Sequence, residues 1–281
     1  MLAACLPLPY PLPYHRPISA PPIFDSSFDS HCPMLDPLST AEKLSKQFVT
    51  IFGSALRSVV LFGSVARGEA IPGMSDVNVL VLLDEVDAQQ LAAAAPMLQQ
   101  WVRAGNTPPH IFSCEEWGGM GDTFALEIAD MQDARKVLYG GDPVAAASPK
   151  YHEVRLHAEH EIRDTILHLR LRTLLAANDP RELGNLLVSG TPSFAAYMRT
   201  ALRLSGRKAP LKTMEVIESA AQLIGADPAP MLLCYEAKCA RTPPQVSITA
   251  PLVVEYHEFA RHLRTFIDRI PPEGTVAGSP S

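Results

Sequence analysis

The segment Leu61 to Leu83, LFGSVARGEAIPGMSDVNVLVLL, constrains this chain more than any other. Ser58 to Phe62 and Val77 to Leu83 are short, continuous blocks of β-forming apolar residues, the pattern of strands buried on both faces. They predict the core of a sheet. Gly63 halts the first block, Ser64, Arg67 and Gly68 follow it, and a loop then delivers Ser75 and Asp76 to the second. Glycine admits close backbone approach, free N–H groups at a helix start attract a phosphate, and a serine hydroxyl adds a donor to the same anion. The segment therefore reads as a phosphate cradle, with Arg67 and Gly68 carried on a helix N-terminus. It is not a Walker-type site, because G-x-x-x-x-G-K-[ST] occurs nowhere in the chain.

The flanking pattern alternates helix and strand. Ser39 and Thr40, with Glu42 and Lys43 in the first turn, predict a capped helix running to Phe52 and ended by Gly53. Asp87 to Arg103 reads as a helix with Pro96 as a defect, and His110 to Cys114 as a third strand. Phe124, Leu126 and Ile128 alternate with Ala125, Glu127 and Ala129, which predicts a fourth strand with Glu127 on its less apolar face; a helix is the close rival. GGDP at 140–143 and AAASP ending at Pro149 mark a linker, after which strand signals vanish. Helical spacing over 151–178, Phe194 to Leu204, Lys212 to Ile224, Ala229 to Ala240 and Leu252 to Ile270 predicts a bundle of four or five helices. The fold class expected is α+β, a small mixed sheet with flanking helices followed by an all-α bundle. Its expected parts are a disordered proline-rich arm (1–37), a sheet domain (38–142), a helical domain (150–270) and a frayed tail (271–281).

With 281 residues the chain is long enough to bury a core without disulfides or structural metals. Its five cysteines (Cys5, Cys32, Cys114, Cys234 and Cys239) lack paired spacings and read as free thiols in a reducing, cytoplasmic setting. No apolar run approaches the ~18 residues of a membrane span, so none is expected. A net charge of −6 without a Lys/Arg stripe argues against stable nucleic-acid binding. The first 33 residues hold 8 of the 26 prolines, which favours disorder over the alternative, a polyproline ligand for an aromatic groove.

Gly63-Ser64, Arg67-Gly68 and Ser75-Asp76, in this order, resemble the polymerase-β-like nucleotidyltransferase superfamily, including its minimal and aminoglycoside members. The signature there is G-S-x-x-x-G followed by D-x-D. The resemblance covers about residues 38–142, and a helical bundle after it is common in the family. It implies Mg²⁺-dependent transfer of a nucleoside monophosphate, with ATP the expected donor, to an unknown small-molecule or protein acceptor entering between the two parts. Carried onto this chain, Gly63, Ser64, Arg67 and Ser75 would bind the nucleotide, and Asp76 would be catalytic and hold metal with the residue two positions on. The departure falls there, since position 78 is Asn78, whose amide oxygen can coordinate but carries no charge. The strand that usually supplies a third carboxylate shows His110 and Ile111, so Glu127 is the substitute expected as base. The alternative is a domain of this fold that binds nucleotide and regulates or pairs with another protein. A homodimer stays open.

Other elements carry blander readings. Glu69 is expected to be a solvated helix residue. HEVRLH at 152–157 has one residue too many for a zinc helix, because His152 and His157 would lie roughly 140° apart. His157, Glu161, Asp164 and His168 share a face, read as solvated polar surface or as the wall of an acceptor cleft. Arg163 to His168 fits the loose R-x(4)-H spacing of HEPN-type ribonucleases, a match that charged helices produce by chance. Cys234 and Cys239 are expected as core or near-surface thiols.

Overall fold

The computed structural model describes residues 36–71 and 75–273. The proline-rich segment 1–35 and the tail 274–281 lie outside the described residues, as do the expectations attached to them.

Helix α1 (Pro37–Phe52) leads into β1 (Leu56–Phe62), and β2 (Asn78–Leu83) pairs antiparallel with it. The cap of α1 is Asp36, not Ser39 or Thr40. Its carboxylate accepts from the Ser39 N–H at 3.1 Å, and Pro37 occupies the first turn, where its missing N–H costs nothing. Helix α2 (Ala88–Arg103) is a crossover, started by an Asp87–Gln90 capping box and carrying Pro96 internally. It returns the chain to β3 (His110–Ser113), parallel to β2. Short α3 (Cys114–Gly119), α4 (Ala125–Asp133) and edge strand β4 (Arg135–Gly140) complete the sheet in the order β3-β2-β1-β4.

The two central strands are apolar throughout because both faces are covered. Val59, Leu61, Val79 and Val81 face α1 and α2, while Val60, Phe62, Leu80 and Leu82 face Trp117, Ile128 and Met131. Phe124 to Ala129 is not the predicted fourth strand. Ala125, Leu126, Ile128, Ala129 and Met131 are buried at helical spacing, and α4 wedges between two cores: Ala125 and Leu126 toward the C-terminal helices, Ile128 and Met131 toward the sheet. The fourth strand is β4 instead, a half-exposed edge whose sequence RKVLYG has no apolar block to announce it.

Five helices follow: α5 (Tyr151–Leu175), α6 (Pro180–Leu204), α7 (Thr213–Ile224), α8 (Ala229–Ala240) and α9 (Pro251–Arg269). Val154, Ala158, Ile162, Ile166 and Leu169 form the buried stripe of α5. Helix α6 begins well before Phe194 and is the central helix, carrying Pro192 inside it. Its Gly184 is required by packing, since a Cβ there would fall 1.6 Å from the Pro244 carbonyl oxygen. Among the described residues no helix is long and apolar enough to cross a membrane.

Candidate functional site

The cradle begins where β1 ends. Gly63 has φ +77°, and a Cβ built on it would lie 2.8 Å from Nδ2 of Asn78, the first residue of β2 and the register partner of Phe62. Only glycine serves there, for backbone and space alike. Residues 63–68 form a run of turns rather than the predicted helix N-terminus. The Arg67 N–H reaches the Gly63 carbonyl at 3.1 Å and the Glu69 N–H reaches that of Ser64 at 3.0 Å. Gly68, at φ +74°, reverses the chain. Ser75 accepts a hydrogen bond on its hydroxyl from the Ile71 N–H at 2.8 Å, leaving its own O–H free to donate.

Asp76 lies two residues before β2, so it and Asn78 do not share a strand face as their spacing predicts. Burial raises the Asp76 carboxyl above its ordinary range, against the opposing pull of the Lys238 ammonium on α8 and a Thr107 hydroxyl. Lys238 is in turn lowered by burial, against the raising effect of the Asp76 charge. His110 opens β3 where a third carboxylate is expected. Its ring stacks on Phe62 with centroids 5.9 Å apart and meets Phe124 edge-on at 6.4 Å, and burial lowers its pKa so the imidazole stays neutral.

Two charged residues, Arg67 in the turn and Glu69 directly after it, are bonded to the helices. Arg67 pairs with Asp130 of α4 at 3.0 Å, both largely buried. Glu69 is not solvated, because its carboxylate accepts from the Thr213 N–H (2.7 Å), the Thr213 hydroxyl (2.8 Å) and the Tyr235 hydroxyl (3.4 Å) of α7 and α8. Arg199 and Arg203 of α6, each with a side chain 2% exposed, complete this network. Arg203 bonds Asp130 at 3.2 Å and also Asp133, while Arg199 reaches the Thr213 hydroxyl at 2.9 Å. Sequence reading missed these residues. Two arginines one helical turn apart in the apolar run SFAAYMRTALRL were the available signal, since buried guanidinium groups demand carboxylates.

Glu127 is carried by α4, not by a strand. With His157, His160 and Glu161 of α5 it lines a cavity of about 460 Å³ that contains none of the cradle residues. Burial pushes its carboxyl up to about 7, with Glu161 and Asp130 adding to the effect. Asp164 is instead engaged with His168 at 3.1 Å. Cys234 is buried in the bundle and Cys239 is exposed.

Residues 41–117 match the family model for the nucleotidyltransferase domain. Over that stretch the chain is similar to nucleotidyltransferase domains, and the helices α5 to α9 follow it. Among solved structures the nucleotidyltransferase fold is shared with spectinomycin adenyltransferase AAD(9) from Enterococcus faecialis, described with ATP and spectinomycin. That likeness has a TM-score of 0.52 at 12% identity and covers 81% of this chain and 99% of that one, so it extends over the helices. No curated protein matches by sequence.

The donor set around the turn does not fit the pair of Mg²⁺ ions that the resemblance implies. It offers one carboxylate, an amide whose nitrogen is set against Gly63, a neutral histidine in an aromatic stack, and a lysine whose charge acts on Asp76. Among the described residues no group of three His, Cys, Asp or Glu side chains is placed to hold a metal.

Proposed function

We propose that this chain binds a nucleoside triphosphate, ATP being the expected one, across the Gly63–Gly68 turn and passes its nucleoside monophosphate to a small-molecule acceptor. The observation that carries the reading is the turn itself, a glycine cradle at the end of a buried strand with Asn78 set against Gly63 and Ser75 bonded to Ile71. Asp76 is the acidic group of the reaction in this reading. The acceptor hydroxyl attacks the α-phosphorus, the bond to pyrophosphate breaks, and the hydroxyl proton passes to the Asp76 carboxylate, whose basicity burial has raised. Glu127 takes no part in this reading, since the cavity it lines contains none of the cradle residues.

Asn78 and His110, which stand where two carboxylates are expected, favour a second reading in which nucleotide is bound but not transferred. The test is transfer of label from α-labelled ATP with Mg²⁺ or Mn²⁺ and a cell extract as acceptor pool, on wild type, Asp76→Ala and Asn78→Asp. Transfer by wild type that is lost in Asp76→Ala supports the enzyme. A silent wild type with a transferring Asn78→Asp establishes the second reading, and transfer that survives Asp76→Ala refutes the assigned site.

A further inference from the structure

Helix α5 packs on α4, α6 and α9 with one face and leaves the opposite face uncovered among the described residues. Five of the thirteen exposed large apolar side chains among the described residues stand on this helix, Leu156, Leu167, Leu171, Leu174 and Leu175, each more than half exposed. At 100° per residue the first four fall within about 60° of one another, so they form a stripe rather than a scatter of single residues. Charge is divided along the same helix. Residues 151–164 carry four carboxylates against two arginines, and residues 165–175 carry Arg170 and Arg172 with no carboxylate. The helix dipole, whose effect fades within the first turn, does not account for acids as far in as Glu161 and Asp164. Glu161 and Arg172 lie about 20° apart around the helix, on one flank of the stripe. Glu161 has the adjacent His160 at 3.7 Å, and Arg172 makes no ion pair among the described residues. Shape is divided as well. Leu156, His160 and Glu161 line the cavity of about 460 Å³ in the acidic half, whereas Leu171, Leu174 and Leu175 project from the basic half.

We propose that the uncovered face of α5 is a two-fold docking surface on which a second copy of this chain lies antiparallel, with Leu167 near the axis. A two-fold contact must be complementary to itself, and a helix with an acidic, concave half and a basic, leucine-bearing half meets that condition only when antiparallel. Glu161 of each copy then faces Arg172 of the other, and Leu171 and Leu174 of each copy lie against Leu156 and His160 of the other. The exposed leucines leave water together. A parallel pairing sets the two acidic halves side by side, and an anionic lipid surface repels the same acids. The proposal goes beyond the nucleotide reading and does not depend on it.

The experiment is sedimentation equilibrium of the full chain over a concentration series, on wild type, Leu167→Glu, Glu161→Arg, Arg172→Glu and the double variant Glu161→Arg/Arg172→Glu. Wild type is expected at twice the mass of one chain at high concentration, dissociating on dilution, and Leu167→Glu is expected as a monomer at the same concentrations. Each single reversal raises the dimer Kd by at least about fivefold, and the double variant, which exchanges the signs but keeps the pair, returns to within about threefold of wild type. A wild type that is monomeric throughout the series overturns the proposal. A dimer that Leu167→Glu and both single reversals leave unchanged has its contact elsewhere and overturns α5 as the docking face. A double variant as weak as the single ones overturns the antiparallel pairing. The wild-type series and the charge exchange hold even where Leu167→Glu fails to fold.

Discussion

Asp130→Asn is the sharpest probe of how the two halves of this protein are held together. Each oxygen of the Asp130 carboxylate faces a different arginine, Oδ2 toward Arg67 at 3.0 Å and Oδ1 toward Arg203 at 3.2 Å. An asparagine can offer its oxygen to only one of them and must turn an N–H₂ donor toward the other guanidinium. The network then keeps three cations, Arg67, Arg199 and Arg203, against Asp133 and Glu69. Breaking a buried pair from one side costs about 3–5 kcal/mol, and the 19% exposure of Asp130 places this case near about 3–4. For a chain of this size that lowers Tm by about 6–16 °C in a thermal melt followed by circular dichroism at pH 7. The pH dependence has a definite sign. Burial pushes the Asp130 carboxyl up, but Arg67, Arg203 and Arg199 outweigh it and hold it well below the usual carboxylate range. Its contribution is complete above the unfolded value near about 4 and is lost as pH falls through the lower folded value. The wild-type advantage over Asp130→Asn therefore narrows below about pH 4. A variant melting within about 2 °C of wild type at pH 7, the effect of an ordinary surface substitution, refutes the reasoning.

Two further outcomes follow from the site. Glu127, raised to about 7 by burial, binds its proton more tightly folded than unfolded, so wild-type stability declines as pH rises from about 4.5 to 7 and levels off above. Glu127→Gln removes that decline and gains up to about 3 kcal/mol relative to wild type above pH 7, converging below pH 4.5; parallel urea profiles of the two proteins rule it out. Gly63→Ala meets both a positive φ and the Asn78 amide, with about 1–2 kcal/mol lost from the backbone alone and weakened ATP binding. Adding Asn78→Ala removes the collision but not the strain, so stability returns in part, and full recovery in urea titrations would show that φ is not limiting.

The legible parts of the fold are those where one apolar pattern has one interpretation. The blocks at Ser58–Phe62 and Val77–Leu83 are buried on both faces, and the stripe from Val154 to Leu169 repeats at helical period, so β1, β2 and α5 could be read directly. Segment 124–129 was not, because six residues with alternate apolar positions satisfy a strand, while the burial of both Leu126 and Ala129 satisfies a helix. The N-terminal half of α6 was hidden by Gly184, Gly190 and Pro192, which read as breakers although tight packing against Pro244 and Tyr256 explains the two glycines. At the site, the cradle glycines were visible from their spacing with Ser75 and Asp76. The bonds of Glu69 to the bundle were not, because nothing local to Glu69 distinguishes a carboxylate bonded to Thr213 from one facing water.

The electrostatics of the cradle follow from where its neighbours point. Arg67 sits within the turn and Glu69 directly after it, and a sequence reading gives both to solvent or ligand. Both are instead spent on the helices, Arg67 on Asp130 of α4 and Glu69 on Thr213 and Tyr235 of α7 and α8. The turn is thereby fixed by the bundle, and α6 closes the arrangement through Arg203 to α4 and Arg199 to the Glu69–Thr213 pair. The same Glu69 bonds that hold the turn also set the height of α8 above it. A Glu69→Gln variant, which weakens the grip of Thr213 and Tyr235, is therefore expected to loosen the link between turn and bundle and to lower Tm in a thermal melt, and an unchanged Tm refutes that coupling.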